Sequence, residues 1–157
     1  MKIAVACDHA GFPLKDQVLA AVRAGGHEVL DLGTDSVEAV DYPDYARKLG
    51  KAIQSGRAER GVLLCGSGVG ASIAANKMPG VYAAVCHDSY SAHQGVEHDD
   101  MNVLCLGARI IGPELVRELV TEFLGARFQG NDPGGERHKR RVEKVRKIEM
   151  DKSDMKR

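Results

Sequence analysis

Val62-Leu63-Leu64-Cys65-Gly66-Ser67-Gly68-Val69-Gly70-Ala71-Ser72 holds the fold in miniature. Val62–Cys65 is apolar without alternation, as a strand covered on both faces should be. Glycines at 66, 68 and 70 then break it, and Ala71–Lys77 reads as a helix. A strand that ends in a glycine-rich turn and feeds a helix is the repeating unit of a parallel sheet.

Outward from this segment the same unit recurs. Ile3–Cys7, Glu28–Leu32, Val81–Cys86 and Val103–Leu106 are further strand candidates. Pro13–Ala24, Tyr42–Ser55, Ser89–Glu97 and Pro113–Gly125 are helix candidates. Pro13 and Pro113 suit a first helical turn, while Gly25-Gly26 and Gly125 suit helix stops. The pattern predicts an α/β fold: a three-layer Rossmann-like sandwich with a five-stranded parallel sheet and right-handed crossovers. After the breaker Asn131-Asp132-Pro133-Gly134-Gly135, Glu136–Met150 reads as an extra C-terminal helix. Its Val142, Val145 and Ile148 share one side, the kind of stripe that packs on a partner subunit. Residues 1–150 form a single domain on this reading, and residues 151–157 a solvated tail.

Composition narrows the function. The 157 residues carry 22 Lys plus Arg against 22 Asp plus Glu, so no global field favours nucleic acid or a membrane surface. The balance is local: residues 136–157 hold ten Lys/Arg against five Asp/Glu. No apolar run approaches the roughly 20 residues that span a bilayer. The N-terminus meets Asp8 too early for a signal peptide. Cys7, Cys65, Cys86 and Cys105 show no CxxC spacing and read as reduced thiols in a cytoplasmic protein.

Ligands of open parallel sheets gather at the carboxyl ends of the strands. There the chain places Cys7-Asp8-His9-Ala10-Gly11, the Cys65 turn, Cys86-His87-Asp88 and Arg109. The turn at Gly66–Gly70 lacks the lysine of a P-loop and the spacing of a dinucleotide fingerprint. It suits a small anion, such as an enediolate oxygen, held by backbone N–H groups. Cys65 has two readings: a small buried hydrophobe, or a base whose thiolate the helix N-terminus favours. His9 either binds an anion or caps the helix that follows it. His98 stands among Glu97, Asp99 and Asp100, where an imidazolium can give a proton to a ring oxygen; the plainer reading is a surface-loop histidine. His87, His93 and His98 with their neighbouring acids match no usual metal-ligand spacing, so no metal is expected. Arg137, His138 and Arg141 open the last helix as either a phosphate clamp or a solvated basic face.

These motifs together resemble the type B ribose-5-phosphate isomerases and the related galactose-6-phosphate isomerase subunits. Cys7 through Gly11, Asp41-Tyr42-Pro43, Cys65 through Gly70, Ile73 through Lys77, His98 through Asn102, and Arg137-His138 with Arg141 carry the resemblance. It runs from Met1 to about Glu149. It implies no cofactor, a phosphorylated sugar as substrate, and a homodimer or dimer of dimers with composite active sites. It also implies roles for individual residues. Cys65 moves the proton between carbons 1 and 2, and Ser67 assists transfer between oxygens. His98 opens the furanose ring, with Asp8 nearby. Gly66, Gly68 and Gly70 hold the enediolate oxygen, and Tyr42 lines the sugar pocket. His9, Arg109, Arg137, His138 and Arg141 hold the phosphate. The chain departs from the family at Asp99, where Asn is usual, and an ionised Asp cannot donate a hydrogen bond to an enediolate. Ser67 replaces a frequent Thr and keeps the hydroxyl. Ribose 5-phosphate is the expected substrate; a six-carbon phosphate (allose or galactose 6-phosphate) and non-catalytic sugar-phosphate sensing are the rivals.

Overall fold

The computed structural model describes residues 1–154, with side chains to residue 151. Five strands form one sheet: β1 (Lys2–Cys7), β2 (Glu28–Asp31), β3 (Arg60–Cys65), β4 (Ala83–Val85) and β5 (Val103–Gly107). All pairings are parallel and the order is β2-β1-β3-β5-β4. Six helices accompany them: α1 (Lys15–Ala24), α2 (Tyr42–Gln54), α3 (Val69–Ala75), α4 (Ser89–Asp99), α5 (Pro113–Gly125) and α6 (Glu136–Asp154). The three-layer expectation holds. One core lies between the sheet and α1, α4 and α5, around Val18, Leu104, Leu119 and Phe123. The other lies between the sheet and α2 and α3, around Leu49, Leu63 and Ala71.

From β1 the chain first builds β2 on one side, then returns to lay β3 on the other. That reversal opens a crevice above the carboxyl ends of β1 and β3, the usual ligand position in such sheets. Cys7 and Leu64 are register partners there, which sets Asp8 beside Cys65. The approach is close. A Cβ on Gly11 would stand 2.6 Å from the carbonyl oxygen of Leu64, so only glycine lets the Asp8 turn cross β3.

Several boundaries differ from the sequence expectation. β4 keeps only three of the six expected residues: the Val81 N–H bonds Met78 O, and the Tyr82 N–H bonds the Asn102 side chain. Helix α3 begins at Val69 rather than Ala71, because Gly68 takes the cap position at φ +81°. Helix α4 runs on to Asp99, where Asp100 at φ +55° ends it, so His98 belongs to a last helical turn and not to a loop. Helix α6 continues through Asp154, so the first residues of the expected tail are helical; residues 155–157 lie outside the described residues. Of the stripe on α6, Val142 is buried, while Val145 and Ile148 are more than half exposed.

Two polar devices hold elements to the sheet. The Arg60 guanidinium donates to Phe123 O and Ala126 O at 2.7 and 2.8 Å, satisfying carbonyls at the C-terminal end of α5. The Asn76 side chain bonds both the N–H and the C=O of Ala83, at 2.9 and 2.7 Å, on the outer edge of β4. No helix among the described residues is long and apolar enough to cross a membrane.

Phe123 has no exposed surface and closes the α5 side of the sheet. Phe123→Ala is expected to cost about 3–5 kcal/mol, measured by urea unfolding. A loss below about 1 kcal/mol would show that α5 collapses into the space left behind.

Candidate active site

Cys65 ends β3 and is 5% exposed. The Gly68 N–H donates to its Sγ at 3.1 Å. That contact requires the left-handed backbone of Gly68, which also presses to within 3.1 Å of Leu106 when a Cβ is built on it. An amide aimed at a sulfur beside a helix N-terminus stabilises negative charge on it. The other cysteines have no such donor among the described residues. Burial drives the Cys7 and Cys86 thiols up to about 11, and pushes Cys105 further in the same direction. Those three thiols stay protonated at neutral pH, and Cys65 is set apart from them by the amide aimed at its sulfur.

The surrounding groups are held from several elements. Ser67 is exposed, and its Oγ accepts the Val69 N–H at 3.2 Å. Gly70 and Ala71 lie in the first turn of α3, where N–H groups have no acceptor within the helix. Asp8 is 5% exposed, and its Oδ1 accepts the Ala10 and Gly11 N–H groups, both at 2.9 Å. Its carboxylate therefore organises the turn that carries His9. The His9 Nδ1 lies 3.1 Å from Val40 O and 3.2 Å from Val40 N, which fastens the ring to the segment before α2. Tyr42 lays its ring across Gly70, where an added Cβ would come within 2.8 Å of it. Arg109 is exposed and runs beside Gly66, with its own N–H donating to Gly66 O at 3.0 Å. Cys65, Ser67, Asp8, His9, Tyr42, Gly66, Gly68, Gly70 and Arg109 therefore share one end of the sheet.

The remaining expected site residues do not join them. His98 and Asp99 close α4 just before β5 begins, so the length of β5, about 3.3 Å per residue, separates them from Cys65. Within one chain, His98 and Asp8 are at opposite ends of the sheet. Helix α6 meets α4 at the His98 end: Arg146 bonds Asp100 at 2.6 Å, and the rings of His98 and His138 stack with centroids 3.9 Å apart. Arg137 and Arg141 are exposed, but His138 turns inward and is 4% exposed. Its Nδ1 is buried without a hydrogen-bond partner. Burial first, then His98, Arg137 and Arg141, holds the His138 imidazole below its usual value. Asp99 is exposed, on the outer side of that last turn.

One positioning histidine has no role on the sequence reading. His87 follows β4, and its Nε2 accepts the Gly107 N–H at 2.9 Å, pinning the end of β5 behind Ser67. Burial lowers this imidazole, in keeping with a neutral ring that accepts. Its partner is 20 residues away, so spacing carried no signal. His93 is bracketed by Glu122 at 2.9 Å and Glu97 at 3.2 Å, a polar bridge between α4 and α5. Among the described residues no group of three His, Cys, Asp or Glu could hold a metal ion.

The profile of the Ribose/Galactose Isomerase family matches residues 3–145. This chain belongs to that family. It is 46% identical over 149 residues to ribose-5-phosphate isomerase B of Escherichia coli, covering 95% of this chain and 97% of that one. It is 42% identical to D-erythrulose-4-phosphate isomerase of Pectobacterium atrosepticum, covering 92% and 93% respectively. The structure of Clostridium thermocellum ribose-5-phosphate isomerase B superposes with a TM-score of 0.90 at 45% identity, over 96% of this chain and 99% of that one. The resemblance inferred from the motifs is thereby supported along nearly the whole family member.

His87 and His138 bind a proton more readily in the unfolded chain than in the folded one. Their contribution to stability is therefore full above about pH 6.5 and is lost as pH falls. The urea midpoint is expected to drop between neutral and mildly acid buffer, and His138→Phe to reduce that drop. Equal acid sensitivity in the variant would show that His138 is not its source.

Proposed function

We propose that this chain is an aldose–ketose isomerase that interconverts ribose 5-phosphate and ribulose 5-phosphate. It works as a homodimer in which each active site draws on both subunits. The observation that carries the chemistry is the Gly68 amide donating to Cys65 Sγ at the mouth of the β1/β3 crevice. Family membership sets the reaction class.

The reaction moves protons only. The Cys65 thiolate removes the proton from C2 of the open-chain aldose, which leaves negative charge on O1 and the proton of O2 in place. The enediolate oxygen lies against the amides of the Gly66–Gly70 turn. Ser67 passes a proton between O1 and O2. The Cys65 thiol then returns its proton to C1, leaving a C2 ketone. Electrons are redistributed within the sugar, and no external oxidant or reductant is consumed. His9 and Arg109 take the phosphate from one side, and Arg137 and Arg141 of a second copy take it from the other. Before isomerisation, His98 of that copy gives a proton to the furanose ring oxygen as its bond to C1 breaks, and the anomeric hydroxyl gives its own proton to the Asp8 carboxylate so that the C1 carbonyl forms. With His138 stacked inward, the clamp rests on the two arginines.

The two-chain reading is supported by the separation of the two groups of residues. Exposed apolar side chains lie on both: Val69, Ile73 and Ile110 near Cys65, and Val145 and Ile148 on α6. Such patches mark surfaces that are covered in use. Four free thiols fit a reducing cytoplasm.

Turnover of ribose 5-phosphate with EDTA present, beside erythrose 4-phosphate, allose 6-phosphate and galactose 6-phosphate, tests the substrate. Clear preference for the pentose is expected; activity on another sugar alone would move the assignment to it. Cys65→Ala should lower kcat by about 10²–10⁴ while phosphate-ligand affinity persists, and near-normal turnover would remove Cys65 as the base. Mixing Cys65→Ala with Arg137→Ala chains under subunit exchange should restore about one quarter of wild-type activity, since half the dimers are mixed and each has one intact site. No recovery from two well-folded variants would overturn the shared site.

A further inference from the structure

Helix α4 places Gln94 one turn before His98, and the Gln94 Nε2 lies 2.8 Å from the His98 Nδ1. An amide nitrogen has hydrogens and no lone pair to offer, so it can only donate. The His98 Nδ1 must then be the acceptor, and in the neutral ring the proton resides on Nε2. Among the described residues the His98 Nε2 has no hydrogen-bond partner. The ring cannot swing to exchange its nitrogens, because one face is stacked on His138 at an interplanar angle of 20°. His138 is itself buried and fixed at the start of α6. Gln94 and His98 line a cavity of about 440 Å³ that is shared with Tyr90, His93, Glu97 and Glu122.

We infer that Gln94 is a positioning residue for the isomerase: its side-chain amide holds His98 in the Nε2–H tautomer and so aims a proton donor at the substrate's ring oxygen. The inference rests on the proposed ring-opening role of His98 and deepens it. The i and i+4 spacing of the pair means that one helix supplies both the donor and the group that sets its tautomer. The same logic governs metal-bound histidines, where the hydrogen bond at one ring nitrogen decides what the other can do. A neutral imidazole with its proton on Nδ1 would meet the ring oxygen with a lone pair and could not open the ring. Gln94 touches no reacting atom on this account; it acts through His98 alone.

The substrates separate this role from a general loss of structure. Ribose 5-phosphate enters as a furanose and needs ring opening. Erythrose 4-phosphate has no free hydroxyl placed to close a furanose, so it reaches Cys65 already open.

The experiment combines long-range nitrogen NMR of the His98 imidazole with kinetics on full-length wild type, Gln94→Met, Gln94→Glu and His98→Asn. Wild type is expected to show the Nε2–H tautomer. Gln94→Met, which fills the space without a donor, should give a mixture. Gln94→Glu, which can only accept, should move the proton to Nδ1. The kcat for ribose 5-phosphate should fall about tenfold in Gln94→Met and further in Gln94→Glu, with KM little changed and any turnover of erythrose 4-phosphate retained. An Nδ1–H tautomer in wild type, or a tautomer that ignores both Gln94 substitutions, would overturn the inference. If His98→Asn keeps wild-type turnover of ribose 5-phosphate, the ring-opening reading fails and takes the catalytic part of the inference with it. If His98→Asn is impaired while Gln94→Met is not, the reading survives and the inference about Gln94 alone is lost.

Discussion

A single backbone amide pointing back at a sulfur, Gly68 N–H to Cys65 Sγ, is the contact on which this end of the molecule depends. It exists only because residue 68 adopts a positive φ and lacks a Cβ, which lets the turn fold over the end of β5. The rest of the neighbourhood keeps that turn in place. Ala108 N–H reaches Cys65 O and Arg109 N–H reaches Gly66 O, while His87 takes the adjoining Gly107 amide. Inserting β5 between β3 and β4 makes this possible, since it brings the Arg109 turn directly against the Cys65 turn.

The parts of this architecture that were legible in the sequence are the local ones. Unbroken apolar runs marked the strands, and glycines and prolines marked most helix ends. The Cys65 turn could be read as an anion-holding loop because strand, glycines and helix follow one another within about a dozen residues. Long-range placement was not legible. Nothing in the run from His98 to Asn102 says that α4 carries it to the far end of the sheet from Cys65. The inward turn of His138 depends on stacking against a residue 40 positions earlier, and the shortness of β4 on side chains of Asn76 and Asn102. The motifs pointed to the family sooner than the placement of their residues did, because each motif is a short run read in place and needs no knowledge of long-range contacts.

Electrostatics follow the same division. The Cys65 end gathers amides and the first turn of α3, a setting for developing negative charge. The α6 end gathers Arg137 and Arg141 at the surface, with two stacked imidazoles beneath. Three of the four cysteines are kept protonated, first of all by burial. Lys15 shows the opposite solution. It is 5% exposed, yet Asp31, Asp35 and Thr34 O surround its ammonium, and they outweigh the cost of burial and hold the group charged. It thereby ties the chain after β2 to α1, upstream of the Val40 contact that holds His9.

The amide of Asn76 has a consequence outside catalysis. By bonding the N–H and C=O of Ala83 together, one side chain takes the place that a sixth strand would occupy along β4. An open parallel sheet ordinarily offers its outer strands as templates for another chain. Here β4 has three residues, and the outward-facing N–H and C=O of Ala83 are already matched. Strand addition, domain swapping and fibril seeding thus lose their foothold on this side. A molecule with apolar helix faces left bare can then pair through those faces in a crowded solution without also growing by its sheet.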